Sequence, residues 1–305
     1  MINRYFTLFI LVHLLSSCSE SAPTKVVAPI AIETDSVRLW IEESKNLEYS
    51  ELQKASILNK AYQFALNSPS DSLKAQYFST LSENLYITGD STLFRKVNKH
   101  AISLNQKQND SLSIGNRYWD LALFFEKYLV KDSAYYAYSE AQKVFENNRG
   151  KQNSGKMYLA MARIQTYIKD YVGSETNITM AIERFKPLND NLNLYYSYNS
   201  LGISLGALGE VEKSLAYYNE ALHYLKLVDF DKFQEASVIN NIGVVYRNNK
   251  QYKKAIQNFK TVLETDSLEI NDLDLYARAL SNLASSKLYY KDTIGVNSLL
   301  LQAIE

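Results

Sequence analysis

Residues Tyr198 to Leu222 read YNSLGISLGALGEVEKSLAYYNEAL, and the same layout recurs along the chain. Apolar residues at Tyr198, Leu201 and Leu205, then at Val211, Leu215, Tyr218 and Leu222, follow the three-to-four spacing of amphipathic helices. Gly209 separates the two runs, where a tight turn uses the freedom of glycine at positive φ. Each run is therefore a helix, and the pair is a hairpin. Working outward, the phase of Gly202 is occupied by Ser82, Ala122, Ala162, Gly243 and Ala284, at spacings of 40, 40, 40, 41 and 41 residues. Nineteen residues after each stands Ala101, Ala141, Ala181, Ala221, Val262 or Ala303. A period of this size marks a solenoid of one repeated supersecondary unit. The spacing predicts an all-α stack of helical hairpins that works by presenting a surface.

The small residues have a mechanical meaning. Two helices approach closely only where one of them lacks bulk, so Gly202 and Ala221 mark the contact between the first helix (A) and the second (B) of a hairpin. Tyr118, Tyr158, Tyr198, Tyr138, Tyr218 and Phe259 fill the wider gaps between hairpins. In the other copies the turn is placed at Gly89-Asp90, Lys131-Asp132, Lys169-Asp170, Asn249-Lys250 or Lys291-Asp292, where short polar residues suit a helix stop and a fresh N-cap.

The pattern resembles the tetratricopeptide repeat. Ile239 to Leu263, INNIGVVYRNNKQYKKAIQNFKTVL, carries it most fully through Gly243, Tyr246, Tyr252, Ala255, Phe259 and Leu263. The period of 40 to 41 exceeds the usual 34 and is similar to the variant of kinesin light chains and bacterial peptide-sensing proteins. The closing proline of the unit is missing, with Pro187 the one candidate. HEAT-type repeats share the period but lack the Gly-x-Tyr and Ala-x-x-x-aromatic signature. The resemblance implies a right-handed superhelical solenoid over residues 36–305. It comprises a weak first unit at 36–68, where Trp40 and Ala61 fall in phase, then six units, the last without a capping helix. An uncovered apolar end would invite self-association through Leu299, Leu300 and Ile304.

The N-terminus reads as an address. A short positive start, Met1 to Arg4, precedes an apolar run to Leu15, too short to span a bilayer. Leu15-Ser16-Ser17-Cys18 resembles the bacterial lipobox, and the chain holds 1 Cys. The expectation is a signal peptide at 1–17, lipidation at Cys18, and a flexible tether at 18–35 containing Pro23 and Pro29. An ordinary cleaved signal or an uncleaved anchor is the alternative. Fully extended, Ser19 to Thr34 would reach about 50–55 Å, enough for the solenoid to stand off an envelope membrane.

Charge and composition narrow the function. Lys and Arg number 33 and Asp and Glu 33, so no net basic field attracts nucleic acid. His100 and His223 fall in different units, no Gly-rich phosphate loop or nucleophile elbow is present, and Glu42-Glu43 are adjacent and splay around a helix. No metal, cofactor or catalytic role is expected. Lys253-Lys254 read as a solvated helix face, and Asn177-Ile178-Thr179 as a chance sequon.

The resemblance places helix A on the inner groove. Tyr86, Trp119, Arg163, Tyr167, Asn199, Asn240, Asn241, Arg247, Asn282 and Tyr289 are then the candidate partner-binding residues. Asparagine amides offer donor and acceptor together and would hold an extended peptide irrespective of its sequence. Trp119, Tyr167 and Tyr289 would supply flat anchors. Alternatively, the asparagines satisfy one another across neighbouring helices and the aromatics are packing. Two functions follow. One is a lipid-anchored scaffold that binds a protein or peptide at the bacterial envelope; the other is the extracytoplasmic input region of a longer histidine kinase or transcriptional regulator.

Overall fold

The computed structural model describes residues 30–88, 91–148, 150–228 and 231–304. Residues 1–17, Cys18 and the Gly89-Asp90 turn lie outside the described residues. Among the described residues, seven hairpins follow one another. The A helices are α1 (Ile30–Ser44), α3 (Asp71–Thr88), α5 (Ser111–Lys127), α7 (Lys151–Tyr167), α9 (Asn191–Ala207), α11 (Lys232–Asn248) and α14 (Leu273–Tyr289). Their B partners are α2 (Glu51–Leu66), α4 (Ser91–Lys107), α6 (Lys131–Asn147), α8 (Tyr171–Phe185), α10 (Val211–Leu225), α12 (Tyr252–Leu263) and α15 (Val296–Gln302). A short α13 (Leu268–Asn271) follows the shortened α12 and buries Leu268 against α14. Helix α1 begins at Ile30, inside the stretch expected as tether, where Ile-Ala-Ile-Glu behind Pro29 suits a helix start.

Five of the hairpin turns repeat one geometry. The A helices end on a residue in the left-handed region at Leu129 (φ 58), Lys169 (φ 65), Gly209 (φ 81), Lys250 (φ 60) and Lys291 (φ 64). In each turn the next N–H donates to a carbonyl five residues back: Val130 to Phe125, Asp170 to Gln165, Glu210 to Leu205, Gln251 to Tyr246, Asp292 to Lys287, at 2.8–2.9 Å. This closure satisfies carbonyls that the helix end would orphan. Glycine serves at only one of the five, so the backbone bonds hold lysine and leucine in a conformation they disfavour. The turn expected at Lys131-Asp132 is corrected to Tyr128-Leu129-Val130, because α6 already begins at Lys131. Leu129 is 73% exposed and contributes little packing. Leu129→Gly is therefore expected to raise the unfolding free energy by about 1 kcal/mol, read from urea denaturation; an unchanged or lower value would contradict the strain assignment.

Between hairpins, Asn109 and Asn189 take the left-handed position, and the aspartate that follows each caps the next A helix. Asp110, Asp190 and Asp272 accept from the N–H groups of Ser113, Asn193 and Leu275 at 3.1, 3.3 and 3.0 Å. Within the hairpins, the contact foreseen at Gly202 runs through an aromatic ring: a Cβ there would stand 2.7 Å from Cε1 of Tyr218, and one at Gly243 would stand 2.7 Å from Cε1 of Phe259. Tyr218 and Phe259 are buried, as are Tyr138 and Ala61. Small residues on A thus make room for a ring on B. Gly115 and Gly155 do the same for Phe145 and Phe185.

Candidate binding cleft

Successive A helices touch along most of the stack: α1 with α3, α3 with α5, α7 with α9, α9 with α11, α11 with α14. No successive pair of B helices reaches comparable contact. The A side is therefore the inside of the curve. Between α5 and α7 the backbones approach less closely than in these pairs, side chains of the two helices pack together in one core cluster, and beside them the concave face holds a cleft of about 410 Å³. Trp119 and Leu123 of α5, Lys156, Leu159 and Arg163 of α7, and Tyr196 and Ser200 of α9 line it, with Tyr138 of α6 behind.

The floor is apolar and the rim polar. Trp119 packs edge-on against the buried Phe145 ring, centroids 6.3 Å apart at 83°. Lys156 Nζ stands 5.9 Å from the Trp119 ring, a cation–π distance. Across the gap, Arg163 donates from Nη2 to both carboxylate oxygens of Glu126 at 2.9 and 2.8 Å, and Tyr138 donates to Glu126 Oε2 at 2.6 Å. Burial and the Glu126 carboxylate both hold the Tyr138 hydroxyl firmly protonated. Arg163 and Glu126 are thus committed to each other and act as a strut between α5 and α7. Lys156 is the lining cation without an ion pair among the described residues.

Arg117 and Asp120, which flank Trp119 in sequence, belong to a buried polar cluster. Arg117 is 1% exposed; its Nε stands 2.8 Å from Asp120 Oδ2, and its Nη2 donates to Glu83 at 2.5 Å. Ser82 donates to Asp120 at 2.8 Å, and Asn98 donates to Ser82 and to the Arg117 carbonyl at 3.0 and 2.8 Å. Burial pushes the Asp120 carboxyl up to about 6, while Arg117 and Ser82 pull it back. The cluster ties α3, α4 and α5 together and fixes the helix that carries Trp119.

Of the expected partner-binding residues, the structure brings Trp119 and Arg163 together in the cleft. Tyr86 is half-buried against the core of the first hairpins. Tyr167 and Tyr289 end their A helices and stand on the turn edge, Tyr167 beneath Lys131 at 5.0 Å and Tyr289 stacked on Tyr252 at 5.6 Å. The asparagines bond to one another. Asn241 donates to Asn199 at 3.3 Å, Asn282 to Asn240 at 3.1 Å, and Arg247 to Asn282 at 2.7 Å. Asn240 is 3% exposed, a correction to its expected place on the groove surface. These amides tie consecutive A helices, the second of the two readings offered by the sequence. Lys156, Tyr196 and Ser200 were missed. Phase alone would have found Lys156 and Tyr196, which stand 40 residues apart at matching positions.

Among solved structures the same architecture recurs. A signal transduction ATPase from Pyrococcus horikoshii, described as carrying a tetratricopeptide repeat sensor, superposes with a TM-score of 0.66 at 15% identity, over 90% of this chain and 45% of that one. The fold is that of the tetratricopeptide repeats. Aspartyl phosphate phosphatase F from Bacillus subtilis shares it with a TM-score of 0.61 at 15% identity, over 89% of this chain and 68% of that one. NprR in complex with its cognate peptide NprX matches with a TM-score of 0.57 at 13% identity, over 88% and 77%. No protein-family model and no curated protein matches the chain. The tetratricopeptide architecture thus accommodates a sensor, a phosphatase and a peptide-bound protein, and function must be argued from the cleft itself. Among the described residues, no group of three His, Cys, Asp or Glu side chains is placed to hold a metal, and no helix is long and apolar enough to cross a membrane.

Proposed function

We propose that this protein is a non-catalytic scaffold that binds an extended peptide or protein segment in the cleft lined by α5, α7 and α9. The observation that carries the reading is the cleft on the inner wall, where Trp119 and Leu123 of α5, Leu159 of α7 and Tyr196 of α9 face one open space rimmed by Lys156 and Arg163. A concave site with an apolar floor and a few polar groups at its rim is how such ligands are held. The peptide complex of NprR supports the reading by showing that this fold accepts a peptide. Lipidation at Cys18 would hold the scaffold at the envelope membrane. The sensor reading draws on the Pyrococcus horikoshii protein and uses the same cleft, with the peptide as its signal.

The test is selection from a random peptide library on the full chain, with affinities read from Trp119 fluorescence after Trp40→Phe removes the second tryptophan. Trp119→Ala, measured by calorimetry, is expected to weaken selected peptides about 30-fold, near 2 kcal/mol, while Tyr289→Ala leaves them unchanged. Selected peptides indifferent to Trp119→Ala would place the site elsewhere. The anchor is tested separately: Cys18→Ser should abolish an acyl-dependent mass increase and membrane partitioning, and retention of both defeats it.

A further inference from the structure

The edge formed by the turns of the last two hairpins carries an unusual concentration of one charge. Lys250, Lys253, Lys254, Lys287 and Lys291 stand there with Asp292, and Asp292 is already paired with Lys287 at 3.2 Å. Arg247 is committed to Asn282. Lys250, Lys253, Lys254 and Lys291 are exposed and make no ion pair among the described residues. In a protein whose formal charges cancel, this is a local positive patch with no internal counterpart.

Aromatic rings are interleaved with the lysines. Tyr252 stacks on Tyr289 at 5.6 Å and 16°, joining the two turns, and Lys253 Nζ stands 5.6 Å from the Tyr290 ring. A shallow depression of about 320 Å³ is lined by Lys250, Tyr252, Lys253, Lys254 and Tyr290. Tyr289 is 64% exposed, and Ile294, beside the same turn, is 81% exposed. Sequence alone made Lys253-Lys254 a solvated helix face; the turns instead gather them with three tyrosines and an aliphatic side chain.

We infer that this turn edge docks on an anionic phospholipid surface. Tyrosine has an apolar body and a wet hydroxyl tip, and lysine has an apolar stem and a charged head, so both suit the headgroup layer. Lysine ammonium groups are point charges without the fork that selects one phosphate or carboxylate geometry, which favours a diffuse anionic surface over a specific phosphopeptide. The patch stands on the turns of the last two hairpins and shares no lining residue with the cleft, so a planar partner engages it while the groove stays open. The inference stands independently of the peptide reading and of lipidation at Cys18.

The experiment is lysine acetylation footprinting of the full chain, read by mass spectrometry, with vesicles of phosphatidylcholine alone or enriched in phosphatidylglycerol. Acetylation of Lys250, Lys253, Lys254 and Lys291 should slow several-fold in the phosphatidylglycerol vesicles only, with Lys156 and Lys45 unchanged. High salt should remove the protection. Lys250→Glu, Lys253→Glu and Lys254→Glu together, all on the surface, should release Lys291 from protection with an unchanged thermal melt. Equal labelling in both vesicle types overturns the proposal. So does protection spread over all lysines, or protection by inorganic phosphate without vesicles, which would make this a small-anion site.

Discussion

Arg117→Ala is expected to lower the stability of the second and third hairpins by about 3–5 kcal/mol at neutral pH, the usual result of removing one partner from a buried ion pair. Arg117 is 1% exposed and spans from Asp120 on its own helix to Glu83 on α3. Its removal strands Asp120, whose remaining partner is the Ser82 hydroxyl, and opens space between α3 and α5. Repeat stacks open locally, so the measurement is amide hydrogen exchange resolved by hairpin. Protection lost in α3 to α5 and kept in α9 to α12 is the expected pattern; uniform or absent loss would remove the cluster from its proposed role. Trp119 lies between the two paired residues, so peptide affinity should fall with the same variant.

The same cluster sets a pH dependence with an uncommon sign. The folded carboxyl of Asp120 titrates at about 6 and the unfolded one at 3.8, because burial disfavours its charge. Between these values the folded state holds a proton that the unfolded chain has released. The contribution of this group is therefore greatest below the unfolded value and is lost as pH rises through the folded one, by about 3 kcal/mol in all. Asp120→Asn should abolish this slope in hydrogen exchange of α3 to α5 measured from pH 4 to 7. A slope that persists in the variant belongs to another group.

Phe185→Ala is the second large effect, expected to cost about 3–5 kcal/mol by deleting a fully buried ring. Phe185 is 0% exposed and closes α8 against α7 at Gly155, where a Cβ would stand 2.8 Å from its Cε1 and 3.1 Å from Arg184 Cβ. Arg184 cannot yield freely, since it pairs at 2.8 Å with Glu146 on α6 of the preceding hairpin. Gly155→Val should therefore cost about 1–3 kcal/mol alone through overpacking. Combined, the two substitutions should cost less than their sum, because the added methyl groups enter the vacated ring site. Additive losses in urea denaturation would show that Gly155 and Phe185 do not share one space.

Much of this architecture is legible one repeat at a time. Helix spacing, hairpin pairing, aspartate caps and the rings facing Gly202 and Gly243 are set by neighbours within a unit, and the 40-residue period copies the layout. The left-handed turn at Leu129 was less legible, because backbone closure there overrides the residue preference that marks Gly209. The asparagines illustrate the limit for the site: Asn199, Asn240, Asn241 and Asn282 carry a groove-like phase, yet each spends its amide on another unit, at separations of 42 residues.

By itself, then, the sequence determined that this chain is a stack of helical hairpins with small residues admitting rings, because a 3.6-residue period and a fixed repeat are local and self-evident in one dimension. Tertiary structure alone decided where the stack departs from its own regularity. The cleft lined by α5, α7 and α9, the burial of Arg117 with Asp120, and the gathering of lysines and tyrosines on one edge depend on how each hairpin is staggered against the next. That stagger is the sum of many side-chain contacts across the interface, and no single repeat encodes it.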